Sequence, residues 1–530
     1  MNLQNLLVDL NAVLPELILC LFICCILVTD LLTPLAQSRK SSGSLALFGL
    51  AIAFISTALQ LYMVSMGAAP LYFNRLISFD RLAVVFKLVI LGGAFITFIF
   101  SMRSRELKDL RFGEYSMLFL GATAGACLLA SSNNFVLFLL ALETLSMCSY
   151  VLAAYLKNQR FSAEAGLKYT LFGATASGVM LFGLGYLYGL SGSLDIQRCM
   201  TALVPAFLME HGALAAYIGL FLVLAGVGFK MAVFPFHFWC PDTYQGAPVP
   251  VTAFLSVVSK AAGFAALCRL LYPVLASTQF SATITGSPDL NLLQILLGAL
   301  AVLTMTFGNL VALRQTDVKR LLAYSAIAHA GYLLMAAAVL QSQAFEALLL
   351  YIVIYLFMNL GAFWVIVVLT NRSGSAELSS FKGAAYTAPL LFVAMFTCLV
   401  SLTGIPPTAG FAAKFVLFQA VIGAGLQGMS SSGAWGAATV FFFLLALIAA
   451  VNSVISLYYY MKVARVMVFE KPAAPEALRS SSLDNALALA LAIPVIVLLY
   501  FSPVASFVSG SFGSPEPLPS FEGVEIAGGQ

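Results

Sequence analysis

Long apolar segments follow one another along most of the chain, with short polar stretches between them. Segments such as Leu45–Met63 and Phe441–Ile455 are apolar on every face, whereas the strands of a membrane barrel alternate between apolar and polar residues. The pattern therefore predicts transmembrane helices of about 20 residues each. A window of this length gives 14 spans, near residues 13–32, 44–65, 78–100, 113–130, 133–156, 163–189, 212–234, 249–271, 290–312, 320–340, 344–370, 386–424 (with a break), 437–461 and 483–502.

The composition is that of an integral membrane protein. Of the 530 residues, 61% are hydrophobic and 9% are charged, against roughly 25% charged residues in a soluble domain. The net charge of +4 comes from 26 basic and 22 acidic residues that are spread thinly between the spans, so we expect no nucleic-acid role. The nine cysteines form no CxxC pair, and we expect small buried hydrophobes and not metal ligands.

Lysine and arginine are distributed between the loops in a way that predicts the orientation. Every second loop is basic, whereas the intervening loops hold little beyond Arg75 and Arg198. By the positive-inside rule the basic loops face the cytoplasm. An even number of spans then leaves both termini on the periplasmic side. The basic loops contain Arg39/Lys40, Arg103/Arg105/Lys108/Arg111, Lys157/Arg160, Arg314/Lys319/Arg320, Arg372/Lys382 and Lys462/Arg465/Lys471/Arg479.

Two apolar segments are interrupted by proline close to a lysine. Pro235 follows Lys230, and Pro406 and Pro407 precede Lys414; proline ends or kinks a helix. Broken helices in corresponding places of two halves are typical of transporter repeats. We therefore predict an all-α membrane bundle with two inverted five-helix repeats. The predicted regions are N-terminal helices at 1–112, a first repeat at 113–271, a second repeat at 290–461, a last helix at 483–502 and an outer-side tail at 503–530.

Four charged residues lie inside predicted spans, where each charge costs about 2.5–3.5 kcal/mol on insertion scales. They are Glu143, Lys230, Lys260 and Lys414. Such residues persist where they line a water path or pair with one another. For each of them, a structural ion pair or a lysine that reaches the membrane surface is the alternative.

Polar side chains recur at helical spacing near these charges, as a hydrated path through a bundle requires. His329 is one of them, and a histidine can relay protons near neutral pH. A buried, hydrogen-bonded histidine is the alternative, and serine and tyrosine stripes can simply join helices. The three stripes are Thr252/Ser256/Lys260, Ser325/His329/Tyr332 and Tyr351/Tyr355/Asn359.

Several segments resemble the antiporter-like subunits of respiratory complex I, and within that family subunit N with its mitochondrial and chloroplast relatives. The resemblance covers nearly the whole chain. Lys414, in place of a glutamate, and an ending after 14 spans are similar to subunit N and not to subunits M and L. The segments that carry the resemblance are Leu14–Leu19, Leu142–Ser146, Gly228–Trp239, Pro241–Pro250, Asp317–Tyr332, Gly404–Pro407 and Leu457–Arg465.

This resemblance implies a proton-translocating membrane-arm subunit of NADH-quinone oxidoreductase, the respiratory-chain translocase complex I, in a bacterial inner membrane. It implies no catalytic, cofactor or metal site on this chain, with NADH, FMN, iron–sulfur clusters and quinone held by partner subunits. The implied partners are antiporter-like subunit M, the small membrane-arm subunits and the lipid bilayer. The implied proton channel contains Glu143, Lys230, Lys260 and Lys414, to which the stripes add His329 and the supporting residues Ser256, Ser325 and Tyr332.

Two other functions remain open at this point. An Mrp-type cation/proton antiporter subunit has the same helices and similar charges, and it is the main alternative. A quinone-binding redox subunit with its own haem is disfavoured, because the chain has only three histidines and no recognisable facing pair. For the complex I subunit, we predict that Glu143 and Lys230 form a coupled pair whose separation controls the protonation of Lys230.

Overall fold

Helices make up nearly all of the computed structural model, which describes residues 9–66, 71–108, 110–208, 214–277, 290–432, 435–470 and 481–498. Among these residues, the only strands are β1 (Leu71–Tyr72) and β2 (Ile77–Ser78), which pair antiparallel. The predicted tail at 503–530 lies outside the described residues. The expected helical membrane fold is confirmed.

The first half of the chain contains eleven of the described helices. One of them, α11, contains a π-helical turn at Leu255–Ser259. The helices are α1 (Leu14–Leu32), α2 (Leu35–Ser65), α3 (Arg81–Arg103), α4 (Phe112–Ser131), α5 (Phe135–Ala153), α6 (Arg160–Ser191), α7 (Ile196–Ala202), α8 (Val204–Leu208), α9 (Leu214–Met231), α10 (Trp239–Gly246) and α11 (Val249–Ala276).

The second half repeats the pattern of long helices with one interruption. A 3-10 turn at Leu378–Phe381 precedes the interrupted region. The helices are α12 (Leu292–Ala312), α13 (Val318–Ala337), α14 (Ser342–Ser373), α15 (Ala384–Thr387), α16 (Pro389–Thr403), α17 (Ala409–Ser432), α18 (Ala437–Phe469) and α19 (Ser482–Val497).

Twelve of the described helices are long and apolar enough to cross a membrane, and there are 13 if the bent pair at Leu378–Thr387 and Pro389–Thr403 forms one span. The predicted spans 320–340 and 483–502 are the two that fail this test. The second corresponds to α19, which has only 16 residues. The first corresponds to α13, whose basic and hydroxyl-bearing residues reduce its hydropathy even though nearly all of it is buried.

The two helix breaks lie where the prolines were expected to place them. α9 ends at Met231 and the helical path resumes at Trp239, so Pro235 lies in the gap. α16 ends at Thr403 and α17 begins at Ala409, with Pro406 and Pro407 between them. Proline has no N–H to donate to the preceding turn, which explains why the helix cannot continue through either segment.

Ion pairs connect loops that the charge pattern assigns to the same side of the membrane. At the weakly basic side, Asp80 at the start of α3 binds Arg269 near the end of α11, at 2.5 and 2.6 Å. Arg269 holds the pKa of Asp80 below its usual range, although burial alone would raise it. The pairs at the other side include Arg111–Asp30, Arg320–Asp242 and Arg372–Asp484.

The centre of the bundle is formed by α11, α13 and α14. The most apolar 18-residue stretch of α11 is entirely buried, and the corresponding stretch of α14 is 89% buried. By contrast, the corresponding stretches of α1, α6 and α18 are only 28%, 33% and 33% buried. Polar side chains on the three central helices are therefore shielded from the lipid by other helices of the same chain.

Candidate functional site

Lys230 occupies the last turn of α9, directly before the first helix break. Its amine is completely buried and donates to the Tyr169 hydroxyl at 3.1 Å. The rings of Tyr150, Tyr169 and Phe229 lie 5.3–5.7 Å from the amine, close enough for cation–π attraction. Trp239, on the far side of the break, stacks on Tyr169 at 4.3 Å. An aromatic cage therefore surrounds this lysine.

Glu143 does not form an ion pair with Lys230 in this structure. Within the described residues, no carboxylate oxygen lies within 4.0 Å of the Lys230 amine. Glu143 is half-buried on α5, and its Oε1 atom is shielded from solvent without a hydrogen-bond partner. The coupling of Glu143 to Lys230 therefore stays a prediction.

Lys260 follows the π-helical turn of α11 and is 4% exposed. Its amine donates to the backbone carbonyl of Ala326 on α13. Gly263, one turn later, packs against the end of α9: a Cβ atom placed there would lie 3.3 Å from Lys230 Cβ. The helices that carry Lys230 and Lys260 are thus in direct contact.

Thr252, Ser256 and Lys260, which the sequence predicts as one polar stripe, bond to three different helices. Thr252 donates to Tyr244 O on α10, whereas Ser256 accepts from Asn359 on α14 at 2.7 Å. Lys260 reaches a third helix, α13. The π turn at Leu255–Ser259 lies between Thr252 and Lys260.

His329 is held between two tyrosines. Its Nδ1 lies 2.5 Å from the Tyr351 hydroxyl, and its Nε2 lies 3.1 Å from the Tyr460 hydroxyl. The Ser325 hydroxyl bonds to the same Tyr460, so Ser325 and His329 share a face of α13 as expected. A ring with a hydroxyl at each nitrogen can accept a proton on one side and release one on the other.

Lys414 lies in the second turn of α17, just after the second helix break. Its amine donates to Thr403 O, at the end of α16, at 2.8 Å and to Ser453 Oγ at 3.3 Å. The ring of Tyr332 lies 4.6 Å from the amine, and its hydroxyl bonds to Ser453 at 3.4 Å. Tyr332 therefore connects α13 to Lys414.

Polar residues of α18 complete this network, although none of them was predicted to belong to it. Tyr460 bonds to His329, and Ser453 bonds to Lys414. Asn452 and Tyr459 both bond to Asn309 on α12, at 3.1 and 3.0 Å. The signal was present in the sequence, because α18 carries these polar residues on an otherwise apolar helix.

A second charged site in the membrane was also missed. Lys87 on α3 and Glu16 on α1 are 1% and 5% exposed, and their charged groups lie 2.7 Å apart. Lys87 also donates to Ala12 O at 3.2 Å. Lys87 occurs in an apolar span like the other lysines, so the same criterion would have found it. It differs from them in having a carboxylate partner.

No group of three or more His, Cys, Asp or Glu residues that could hold a metal ion occurs among the described residues. All nine cysteines are free, and five of them are buried. The geometry of the site is therefore that of amines, phenols and one imidazole in a row of adjacent helices.

Comparison with known proteins shows the family of this chain. The model for the family "NADH:quinone oxidoreductase/Mrp antiporter, TM" matches residues 132–441. NADH-quinone oxidoreductase subunit N 2 of Sorangium cellulosum is 40% identical over 94% of this chain and 96% of its own length. The chain belongs to the subunit N family of NADH-quinone oxidoreductases. Subunit N of an Anaeromyxobacter species is 39% identical over 83% of the chain and 84% of its own length.

Solved structures agree with membership in the subunit N family. A chain of Thermus thermophilus respiratory complex I is 30% identical, with a TM-score of 0.69 over 92% of this chain and 96% of the other. A chain of the Mrp complex from a Dietzia species is 21% identical, with a TM-score of 0.73 over 94% and 97% of the two chains. The second likeness concerns the fold alone, so the comparisons favour the expected complex I subunit over the Mrp-type alternative.

Proposed function

We propose that this chain is a proton-translocating membrane-arm subunit of NADH-quinone oxidoreductase, and that protons pass along Lys230, Lys260, His329 and Lys414, with Glu143 controlling Lys230. The observation that carries the proposal is that three buried lysines lack a carboxylate partner among the described residues. In the part of the chain that the structure describes, no carboxylate lies within 4.0 Å of any of their amines. Their hydrogen bonds go to a phenol, two backbone carbonyls and a serine.

Buried cations that serve only stability are normally paired. Lys87 follows that rule with Glu16, whereas Lys230, Lys260 and Lys414 do not. An ammonium without a counter-ion in a low-dielectric interior costs far more free energy than a neutral amine that keeps its hydrogen bonds. Each of these lysines can therefore hold a proton for part of a cycle and release it for the rest, which is what a relay requires.

Water is the proposed carrier between the titrating groups. Tyr355 Oη and Asn359 Oδ1 are buried without a protein hydrogen-bond partner, and an unsatisfied buried polar atom costs about 1–3 kcal/mol. Asn359 donates to Ser256 on the Lys260 helix, and the Tyr355 ring lies 5.2 Å from the His329 ring. Water bound to these two atoms would connect Lys260 with His329. From His329, which Tyr460 and Ser325 hold in place, the proposed path continues through Tyr332, whose ring lies 5.9 Å from the His329 ring and 4.6 Å from the Lys414 amine.

The position of Glu143 supports a role for a neighbouring subunit. The face of α5 around it is exposed: Leu140 is 58% exposed and Met147 is 60% exposed. A partner that covers this face would change the surroundings of the Glu143 carboxylate and its distance from Lys230. We propose subunit M or a small membrane-arm subunit as that partner, with the NADH, FMN, iron–sulfur and quinone sites in other subunits of the complex.

The remaining assignments follow from the charge pattern and the two helix breaks. We propose that residues 113–271 and 290–461 are inverted repeats, because Lys230 and Lys414 both lie next to a break. We also propose a bacterial inner-membrane location with both termini on the periplasmic side. The basic ends of the helices would then face the cytoplasm.

Glu143→Gln in the intact complex tests the proposal. The amide keeps the size of the side chain but cannot carry the charge that acts on Lys230, so the complex should assemble while proton pumping and coupled quinone reduction fall severalfold. Glu377→Gln, at an exposed carboxylate, is the matched control and should pump normally. Wild-type pumping by a correctly assembled Glu143→Gln complex would overturn the proposed control of Lys230.

The Mrp-type alternative is tested by identifying the proteins that copurify with the chain. Gentle detergent extraction of native membranes should recover the chain with flavin and iron–sulfur subunits and with NADH dehydrogenase activity. Recovery with cation-antiporter subunits only, together with sodium-dependent proton flux, would contradict the complex I assignment.

A further inference from the structure

Two cavities lie along the seam between α3 and α14, outside the lysine row. The larger is a groove of about 660 Å³ between α2, α3 and α14, and its lining is apolar, including Phe54, Leu88, Gly92, Ile96 and Phe357. The smaller has a volume of about 160 Å³ and lies at the basic-loop end of the same seam, where α19 joins it. The first lies within the apolar depth of the helices and the second at their charged ends.

The smaller cavity is strongly basic. Arg103, Arg105 and Arg372 line it, and the one carboxylate among its lining residues is Asp484, 3.4 Å from Arg372. Arg105 donates through one guanidinium nitrogen to Asn371 O at 3.0 Å. Arg103 is exposed, and no carboxylate lies within 4.0 Å of it in the described chain. Three guanidinium groups against one carboxylate leave an excess of two positive charges, with donors available to an anion.

The residues that line the two cavities lie on the same side of α3 and of α14. On α14 the residues Val353, Phe357, Trp364 and Val368 are spaced by four, seven and four positions, which keeps them on one side of a helix. Along α3, Ile96 and Arg103 are seven residues apart, or about 10 Å; Phe357 and Val368 are about 16 Å apart along α14. One leaflet of a bilayer has a hydrocarbon depth of about 15 Å.

We propose that this seam binds one anionic glycerophospholipid, with its phosphate among Arg103, Arg105 and Arg372 and one acyl chain in the apolar groove. The positive charge of the smaller cavity and the apolar lining of the groove together favour this occupant over the alternatives. Inorganic phosphate would satisfy the arginines but could not fill an apolar groove, and an apolar helix of a partner would fill the groove but would not neutralise the arginines. Basic pockets between helices on the cytoplasmic side are typical binding sites for anionic lipid head groups. The charge pattern assigns the basic loops to that side.

Arg103→Glu tests the phosphate end of the site in the intact complex. The residue is exposed, so the change should not disturb folding, but it reverses the charge that the phosphate would meet. After extraction in mild detergent and washing, mass spectrometry of bound phosphatidylglycerol should show about one lipid fewer per complex than in the wild type. Arg314→Glu, an exposed arginine on the same side but outside the seam, is the control and should retain all bound lipid.

Gly92→Phe tests the acyl end. A Cβ atom at Gly92 would lie 3.5 Å from its nearest neighbour, Phe54, so a larger side chain can extend into the groove and displace an acyl chain. Loss of the same lipid from both variants supports the site. Unchanged lipid content in Arg103→Glu, or loss in Arg103→Glu but not in an assembled Gly92→Phe complex, would overturn it. Lipid counting does not depend on proton pumping, so the result is independent of the proposed relay.

Discussion

Replacing Lys87 with methionine should destabilise the protein strongly, because it leaves the Glu16 carboxylate without its counter-ion inside the bundle. The two side chains are 1% and 5% exposed and 2.7 Å apart. Methionine retains the long unbranched shape of the lysine stem, so the change removes the charge with little loss of packing. The perturbation is therefore mainly electrostatic.

The expected magnitude follows from this burial. Removing one partner of a buried ion pair costs about 3–5 kcal/mol, whereas replacing both partners with apolar residues is often neutral. We therefore expect a loss of about 3–5 kcal/mol for Lys87→Met and a similar loss for Glu16→Leu. The double variant should lose much less than the sum, which gives a large coupling energy in the double-mutant cycle.

The chain supplies its own control for this experiment. Lys382 and Glu470 form an ion pair at a similar distance, 3.0 Å, but their side chains are 40% and 36% exposed. Exposed pairs contribute about 0–1 kcal/mol. Lys382→Met should therefore leave the unfolding temperature nearly unchanged.

A suitable assay follows the alkylation of the buried Cys127 thiol as the purified complex is heated, with mass spectrometry of this chain as the readout. Lys87→Met and Glu16→Leu should expose the thiol at lower temperature, whereas Lys382→Met and the double variant should resemble the wild type. A double variant that unfolds as early as the sum of the single effects would refute the reasoning. So would a Lys87→Met protein as stable as the wild type.

Two further predictions concern the charged side and the helix contacts. Lys168 and Arg320, at 2.6 and 2.5 Å, hold the pKa of Asp242 below its usual value, although burial alone would raise it. The resulting stabilisation, about 1 kcal/mol or less, should be present above the ordinary Asp pKa and vanish as pH falls through the lowered one; in Asp242→Asn, thermal unfolding should lack that pH dependence. Gly331→Ala should cost about 1–3 kcal/mol, because its Cβ would lie 2.5 Å from the Met305 backbone nitrogen, whereas Gly178→Ala meets nothing within 4 Å; equal melting temperatures of the two variants would contradict this.

The sequence predicted the features that depend on neighbouring residues. Hydropathy located the long helices, and proline located the gaps after Met231 and Thr403. These properties are local, because the length of an apolar segment and the missing N–H of proline do not depend on the rest of the fold. The same holds for the shared face of Ser325 and His329.

The partners of the charged residues could not be predicted in this way. Lys230 meets Tyr169, which is 61 positions away in sequence, and His329 meets Tyr460 across 131 positions. Such contacts depend on which helices become neighbours. The π turn before Lys260 could not be predicted either, because a pattern with 3.6 residues per turn assumes that the helix is regular.

The hydrogen bond from Lys414 to Thr403 O couples the amine of Lys414 to the carboxyl end of α16. The carboxyl end of a helix carries a partial negative charge, and its attraction for a nearby cation is worth about 0.3–1 kcal/mol, rising to about 2 in buried settings. Linkage is reciprocal. A displacement of α16 therefore changes the free energy of protonating Lys414, and protonation in turn biases where α16 sits. In the proposed relay, a neighbouring subunit that displaces α16 would therefore change the proton affinity of Lys414 through this one hydrogen bond.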